Sequence, residues 1–155
     1  MRVRSPEFDD GGVMPTACTC DGDDRSPALV FEGVPSGAKS LALIVYDPDA
    51  PDPARPTTTW AHWVLYELPP ACGGLPAGAA RLPPGTREGR NDWRRTGYGG
   101  PCPPIGRHRY VFTLFALGAS LGDLGTPTKG QLEAAMRDAV LARAEVMATY
   151  ERARR

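Results

Sequence analysis

A stiff loop that runs straight into a patterned strand constrains this chain more than any other stretch: Thr96 to Leu117, TGYGGPCPPIGRHRYVFTLFAL. The loop places glycine at 97, 99, 100 and 106 and proline at 101, 103 and 104. Glycine admits positive φ and close backbone approach to a ligand, while proline removes donors and freezes the path. Any N–H left pointing inward is then held in place before a ligand arrives. From His108 the pattern has period two: His108, Tyr110, Phe112, Leu114 and Ala116 share one face, and Arg109, Val111, Thr113, Phe115 and Leu117 the other. A histidine and a tyrosine therefore project side by side. Two readings stand open for this stretch alone. It is either a tight loop entering a core strand, with His108 a structural hydrogen-bonder, or the wall of a small binding pocket.

A second stretch, Ser40 to Pro70, bears on that choice. Leu41 to Tyr46 is apolar on both faces, as expected of a buried central strand. It breaks into Asp47, Pro48, Asp49, Ala50 and Pro51, where each proline keeps the residue before it extended. Both carboxylates are thus expected on fixed backbone at the end of a core strand. The chain returns through Trp60, Ala61, His62, Trp63 and Val64, with His62, Val64, Tyr66 and Leu68 expected to face one way. Both histidines of the chain lie in strands beside these loops.

The length of 155 residues suits one domain, spanning 1–155, with a single core. Glycine (18) and proline (17) are about twice as frequent as usual, yet hydrophobic strands interrupt them throughout, so they mark turns rather than disorder. Many short strands between such turns imply an all-β-dominated antiparallel sandwich. A formal charge of zero gives the whole chain no electrostatic bias toward nucleic acid or an anionic membrane. Met1 to Gly12 has no apolar signal region and no stretch is long and apolar enough to span a bilayer, so a cytoplasmic location is the default expectation. On that default, Cys18, Cys20, Cys72 and Cys102 read as thiols. Cys18 and Cys20 are too close in sequence for a paired zinc knuckle, and Cys102 reads as a small buried filler. Between Arg81 and Arg109, seven arginines face only Glu88 and Asp92. That excess either draws anions toward a pocket mouth or is a solvated loop. Arg109 alternates away from His108 and Tyr110 and is expected to pair with a carboxylate such as Asp49. Thr128 with Gln131 makes a capping box, and Leu132, Ala135, Met136, Ala139, Val140, Arg143, Val146, Met147 and Tyr150 keep helical spacing, so the tail is expected to be a C-terminal helix packed on the sandwich.

These residues carry a resemblance. DPDAP, then a Trp–His strand, then GYGGPCPPIGRHRYVF resembles the phosphatidylethanolamine-binding protein family, in the form of its bacterial and archaeal Raf kinase inhibitor-like branch. The likeness extends to CDGDDRSPAL, FEGVPSGAKSLALIVYDPDAP, TWAHWVLYELPP and GRNDW, and so to nearly the whole chain. It implies a β-sandwich with short peripheral helices. It also implies a pocket for phosphoryl head groups and small anions at Asp47, Trp60, His62, Gly100, Pro101, His108 and Tyr110, with Ala50 and Pro51 alongside. Glu67 stands where bacterial relatives often carry asparagine, and Asp24 and Arg25 where a less charged pair is common; both departures bear on surface contacts more than on the pocket. A homodimer is one expectation for assembly.

The chemistry read from the residues agrees in outline. His62 and Tyr110 can donate hydrogen bonds, and the Gly99–Gly100 backbone can add N–H groups. Asp47 would repel an anion unless it is protonated, hydrogen-bonded, or holds His62 as imidazolium. The favoured expectation is a non-catalytic module binding a small anionic or phosphorylated ligand, with no cofactor and no metal, that modulates a kinase, protease or signalling partner. Two alternatives stand beside it: a hydrolase using Asp47, Asp49, His62 and His108, and an inhibitor that presents a surface loop to a protease or kinase.

Overall fold

A computed structural model of the chain describes residues 1–153. Its centre is β3, Ser40–Ala50. Leu41, Leu43 and Val45 on one face and Ala42 and Ile44 on the other are all 1% exposed or less, so the doubly apolar run is a strand covered on both sides. β3 pairs antiparallel with β4 (Thr58–Leu68) and β7 (His108–Leu117). The short β6 (Arg87–Glu88) and the long β8 (Val140–Tyr150) complete a five-stranded sheet in the order β6-β4-β3-β7-β8. A three-stranded sheet, β1 (Arg2–Arg4), β2 (Leu29–Glu32) and β5 (Gly74–Leu75), packs on one face. Val3, Leu29, Phe31 and Leu75 from it share a core with Leu43, Val45, Trp63, Phe112, Leu114 and Val146. On the far face, Leu132 and Met136 of α1 (Lys129–Met136) cover Ala42, Ile44, Val64, Tyr66 and Leu117. The molecule is therefore two antiparallel sheets with a helix on the outer face, plus a short 3-10 turn at Thr16–Cys18.

The alternation expected of β7 holds: Tyr110, Phe112, Leu114 and Ala116 face the inter-sheet core, and Leu117 and Phe115 face the helix side. In β4 strict alternation fails. Val45 pairs with Trp63 but Tyr46 pairs with Ala61, which leaves His62 as an extra residue, and a second shift lies between the Leu41–Leu68 and Leu43–Leu65 pairs. Each bulge turns the strand's inward face over by one residue. Leu65 and Leu68 therefore share the inter-sheet core while Val64 and Tyr66 face the helix, and His62 meets Tyr110 on the inter-sheet side. The expected common face of His62, Val64, Tyr66 and Leu68 is split.

The tail needs a larger correction. The capping box at Thr128 and Gln131 is present, but α1 ends at Met136 and Val140–Tyr150 is a strand running antiparallel to β7. Ala142, Ala144, Val146, Ala148 and Tyr150 point to the inter-sheet core, a period-two pattern that the alanine-rich composition masks. The outer edge of β8 is partly closed by the N-terminal segment. Gly11 and Met14 donate to the carbonyls of Met147 and Thr149, and Thr149 N–H donates to Gly12 O.

Candidate functional site

The ends of β3, β4 and β7 meet at a cavity of about 340 Å³ lined by Asp47, Ala50, Pro51, Trp60, His62, Trp93, Cys102, Pro103, Pro104, His108 and Tyr110. Seven of the nine residues expected at the site line it; Gly100 and Pro101 do not. The Gly99 N–H donates to His62 O (3.0 Å) and the Gly100 N–H to Asp24 Oδ1 (2.8 Å), so neither is left for a ligand. The close approach that these glycines permit is to protein. A Cβ on Gly99 would run into the Trp93 indole, and one on Gly100 into Asp24 Oδ1 and the Cys18 carbonyl.

His108 is 1% exposed and both its nitrogens are engaged: Nδ1 meets Asp47 Oδ2 at 2.6 Å and Nε2 meets Ile105 O at 2.8 Å. A carbonyl only accepts, so Nε2 carries a proton, and the other proton of the pair lies on the line between Nδ1 and the carboxylate. The pair as a whole is neutral. Burial pushes the Asp47 carboxyl up, and hydrogen bonds from His108 and the Asp49 N–H oppose this. Asp47 thus serves His108 and does not hold His62 as imidazolium.

His62 donates from Nδ1 to Gly99 O at 2.7 Å, and burial lowers its pKa to about 4, so near neutrality the ring is uncharged. Nε2 then carries a lone pair, while the backbone of Gly99 and, more weakly, Gly100 takes up the ring's donor side. The ring is held edge to face between Trp93 (4.9 Å) and Tyr110 (5.2 Å). Burial and the nearby carboxylates push the Tyr110 phenol up, so its hydroxyl stays a donor. Near neutrality the cavity offers one strong donor, one unprotonated imidazole acceptor, a neutral Asp–His pair and otherwise apolar or aromatic walls.

Outside the cavity, Arg109 donates to Asp49 from its backbone N–H, Nε and Nη2 at 2.8–3.0 Å, as the strand alternation implied, and this pairing holds the Asp49 carboxyl below its ordinary range. The arginines from Arg81 to Arg109 are all exposed and none lines the cavity.

Trp93 was not among the expected site residues, although GRNDW was part of the resemblance. Buried Asn91 shapes its loop by accepting from the Trp93 and Arg95 N–H groups, and Asp92 ties that loop to Ala61 of β4. Asp24, expected to matter more at the surface than at the pocket, braces the pocket loop through Gly100. The cysteines also depart from expectation. Cys20 and Cys102 form a disulfide across a separation of 82 residues, leaving Cys18 and Cys72 as thiols. Cys102 is exposed rather than a buried filler.

A sequence model of the family described as phosphatidylethanolamine-binding protein matches residues 4–151. The chain belongs to that family. It is 43% identical to a UPF0098 protein of Methanothermobacter thermautotrophicus, over 98% of this chain and 99% of the relative. Its fold matches the crystal structure of a phosphatidylethanolamine-binding protein homolog from Chlamydia trachomatis, with a TM-score of 0.91, 41% identity and coverage of 98% and 97%. It also matches E. coli YbcL, described as a new member of the mammalian PEBP family, with a TM-score of 0.88, 32% identity and coverage of 98% of both chains.

Proposed function

We propose that the chain is a ligand-binding protein whose cavity at the ends of β3, β4 and β7 takes a compact, singly charged oxyacid head group, such as a phosphoryl monoanion. The observation that carries this reading is the hydrogen-bond state of His62. With Nδ1–H spent on Gly99 and Nε2 unprotonated, the ring accepts a proton donor from the ligand, while Tyr110 O–H donates to a ligand oxygen. A singly protonated oxyacid presents both groups at once. A dianion presents only acceptors, and among the described residues no lysine or arginine lines the cavity to compensate.

We read the site as binding rather than catalytic. His108 has no free nitrogen, and the low basicity of His62 makes it a poor general base near neutrality. Modulation of a kinase, protease or signalling partner would then depend on whether the cavity is filled.

The test is titration of inorganic phosphate and O-phosphorylethanolamine into the wild type and Tyr110→Phe, following the ring signals of both histidines by NMR. Both probes should shift the His62 ring, more strongly at a pH where the singly charged form predominates. Tyr110→Phe should bind about tenfold more weakly, the worth of one hydrogen bond to a charged acceptor. Histidine rings that respond to neither probe would sink this reading.

A further inference from the structure

Cys102 belongs to the cavity wall, and its sulfur is bonded to Cys20, just beyond the Thr16–Cys18 turn. The loop it sits on does more than line the cavity: the Gly99 and Ile105 carbonyls hold the two histidine rings. Three hydrogen bonds also clamp this loop to residues 18–24: Tyr98 O–H to Cys18 O (2.7 Å), Gly100 N–H to Asp24 Oδ1 (2.8 Å) and Cys20 N–H to Pro101 O (3.1 Å). All three act at or before Pro101. Beyond it, Pro103 and Pro104 have no N–H to donate, so the wall segment 102–104 is tied to residues 18–24 by the sulfur bridge. Both bridge cysteines are exposed, so a thiol in solution can reach the bond.

We propose that Cys20–Cys102 is a reducible bridge that a dithiol reductant opens, and that opening it weakens ligand binding in the cavity. This rests on the reading of that cavity as a ligand site. One thiolate of the reductant attacks a bridge sulfur, forms a mixed disulfide and expels the other cysteine as a thiolate, which takes up a proton. The second thiol of the reductant then closes its own disulfide and releases the remaining cysteine. The protein gains two electrons and two protons, and the reductant is oxidised. Cys18 does not compete in the exchange, because it is buried and its thiol is pushed up to about 11, chiefly by that burial. With the bridge open, segment 102–104 must be ordered when the ligand binds, a cost the closed form has already met. Linkage is reciprocal: whatever factor the bridge adds to ligand affinity, the ligand adds to the stability of the bridge.

The experiment titrates O-phosphorylethanolamine and inorganic phosphate into the oxidised protein, the dithiothreitol-reduced protein and Cys20→Ser, whose altered residue lies outside the cavity wall. The oxidised fraction is then measured across dithiothreitol redox buffers with and without saturating probe. The reduced protein and the variant should bind about fivefold or more weakly, and the probe should raise the reductant ratio at half-reduction by the same factor. Should Cys20→Ser not fold, the reduced wild type, with its fold checked by circular dichroism, carries the comparison. Equal affinity in all forms overturns the redox proposal and leaves the ligand reading standing. So does a bridge that excess dithiothreitol cannot open in the folded protein, or reduction that unfolds the whole chain. Failure of the oxidised protein to bind either probe overturns both.

Discussion

His62 is a titratable group held in its neutral form, and that has a signed consequence for stability. Its folded pKa of about 4 lies below the ordinary 6.5, so between those values the unfolded chain binds more protons than the folded one. Its contribution is therefore complete above pH 6.5 and is lost as the pH falls to about 4, a change of about 3 kcal/mol. Asp47 works with the opposite sign: its raised carboxyl stabilises the fold at low pH, and that contribution is lost as the pH rises through its folded value. The His62 part is isolated by the difference in urea midpoints between wild type and His62→Gln, which should shrink steadily from pH 6.5 to pH 4. A difference independent of pH would show that burial does not hold the ring neutral. At Gly99 the constraint is steric, because a methyl group there meets the Trp93 indole. Gly99→Ala should displace Trp93 from the cavity wall, seen as a changed tryptophan emission and a ligand affinity lowered about tenfold, with the thermal midpoint falling by only a few degrees. The Arg109–Asp49 pair was legible in the sequence because strand alternation separates Arg109 from His108. The role of Asp24 was not, since nothing local to DGDDRSP announces that one of its carboxylates meets a backbone amide 76 residues away.

Among the elements, β3 and β7 could be read directly, since unbroken alternation or a doubly apolar run admits few other structures. β4 could be read as a strand but not in its facing, because a bulge is decided by the partner strand's register rather than by its own residues. The tail shows how tertiary context overrides propensity. Residues 140–150 are rich in alanine and charge and satisfy helical spacing, yet the same residues satisfy period two, and an open edge of β7 was available to pair with them. Only the helix start carried unambiguous local chemistry, and it is the part that forms as expected. Thr128→Ala should cost about 1 kcal/mol by removing that cap, measurable by urea denaturation. Phe112, fully buried between the sheets, should cost about 3–5 kcal/mol on truncation to alanine.

At the scale of the whole molecule, charge and site are kept apart. The chain is neutral overall, and its arginine-rich stretch faces solvent rather than the cavity. Ligand affinity should therefore change little between low and physiological salt, less than about threefold, because exposed charges at a distance are screened while the groups that touch the ligand are buried. A steep salt dependence in the same titration would instead assign the recognition to the surface arginines.

The closure of β8 by residues 10–14 also has a bearing on synthesis. Gly11, Gly12 and Met14 take their hydrogen-bond partners from Met147 and Thr149, near the other end of the chain. The two partners lie 137 residues apart in sequence, so residues 10–14 have no strand to settle against until residues 140–150 have been translated. That edge can close only after β8 has emerged to pair with β7, so it is among the fold's most sequence-distant pairings and belongs to a late step of folding.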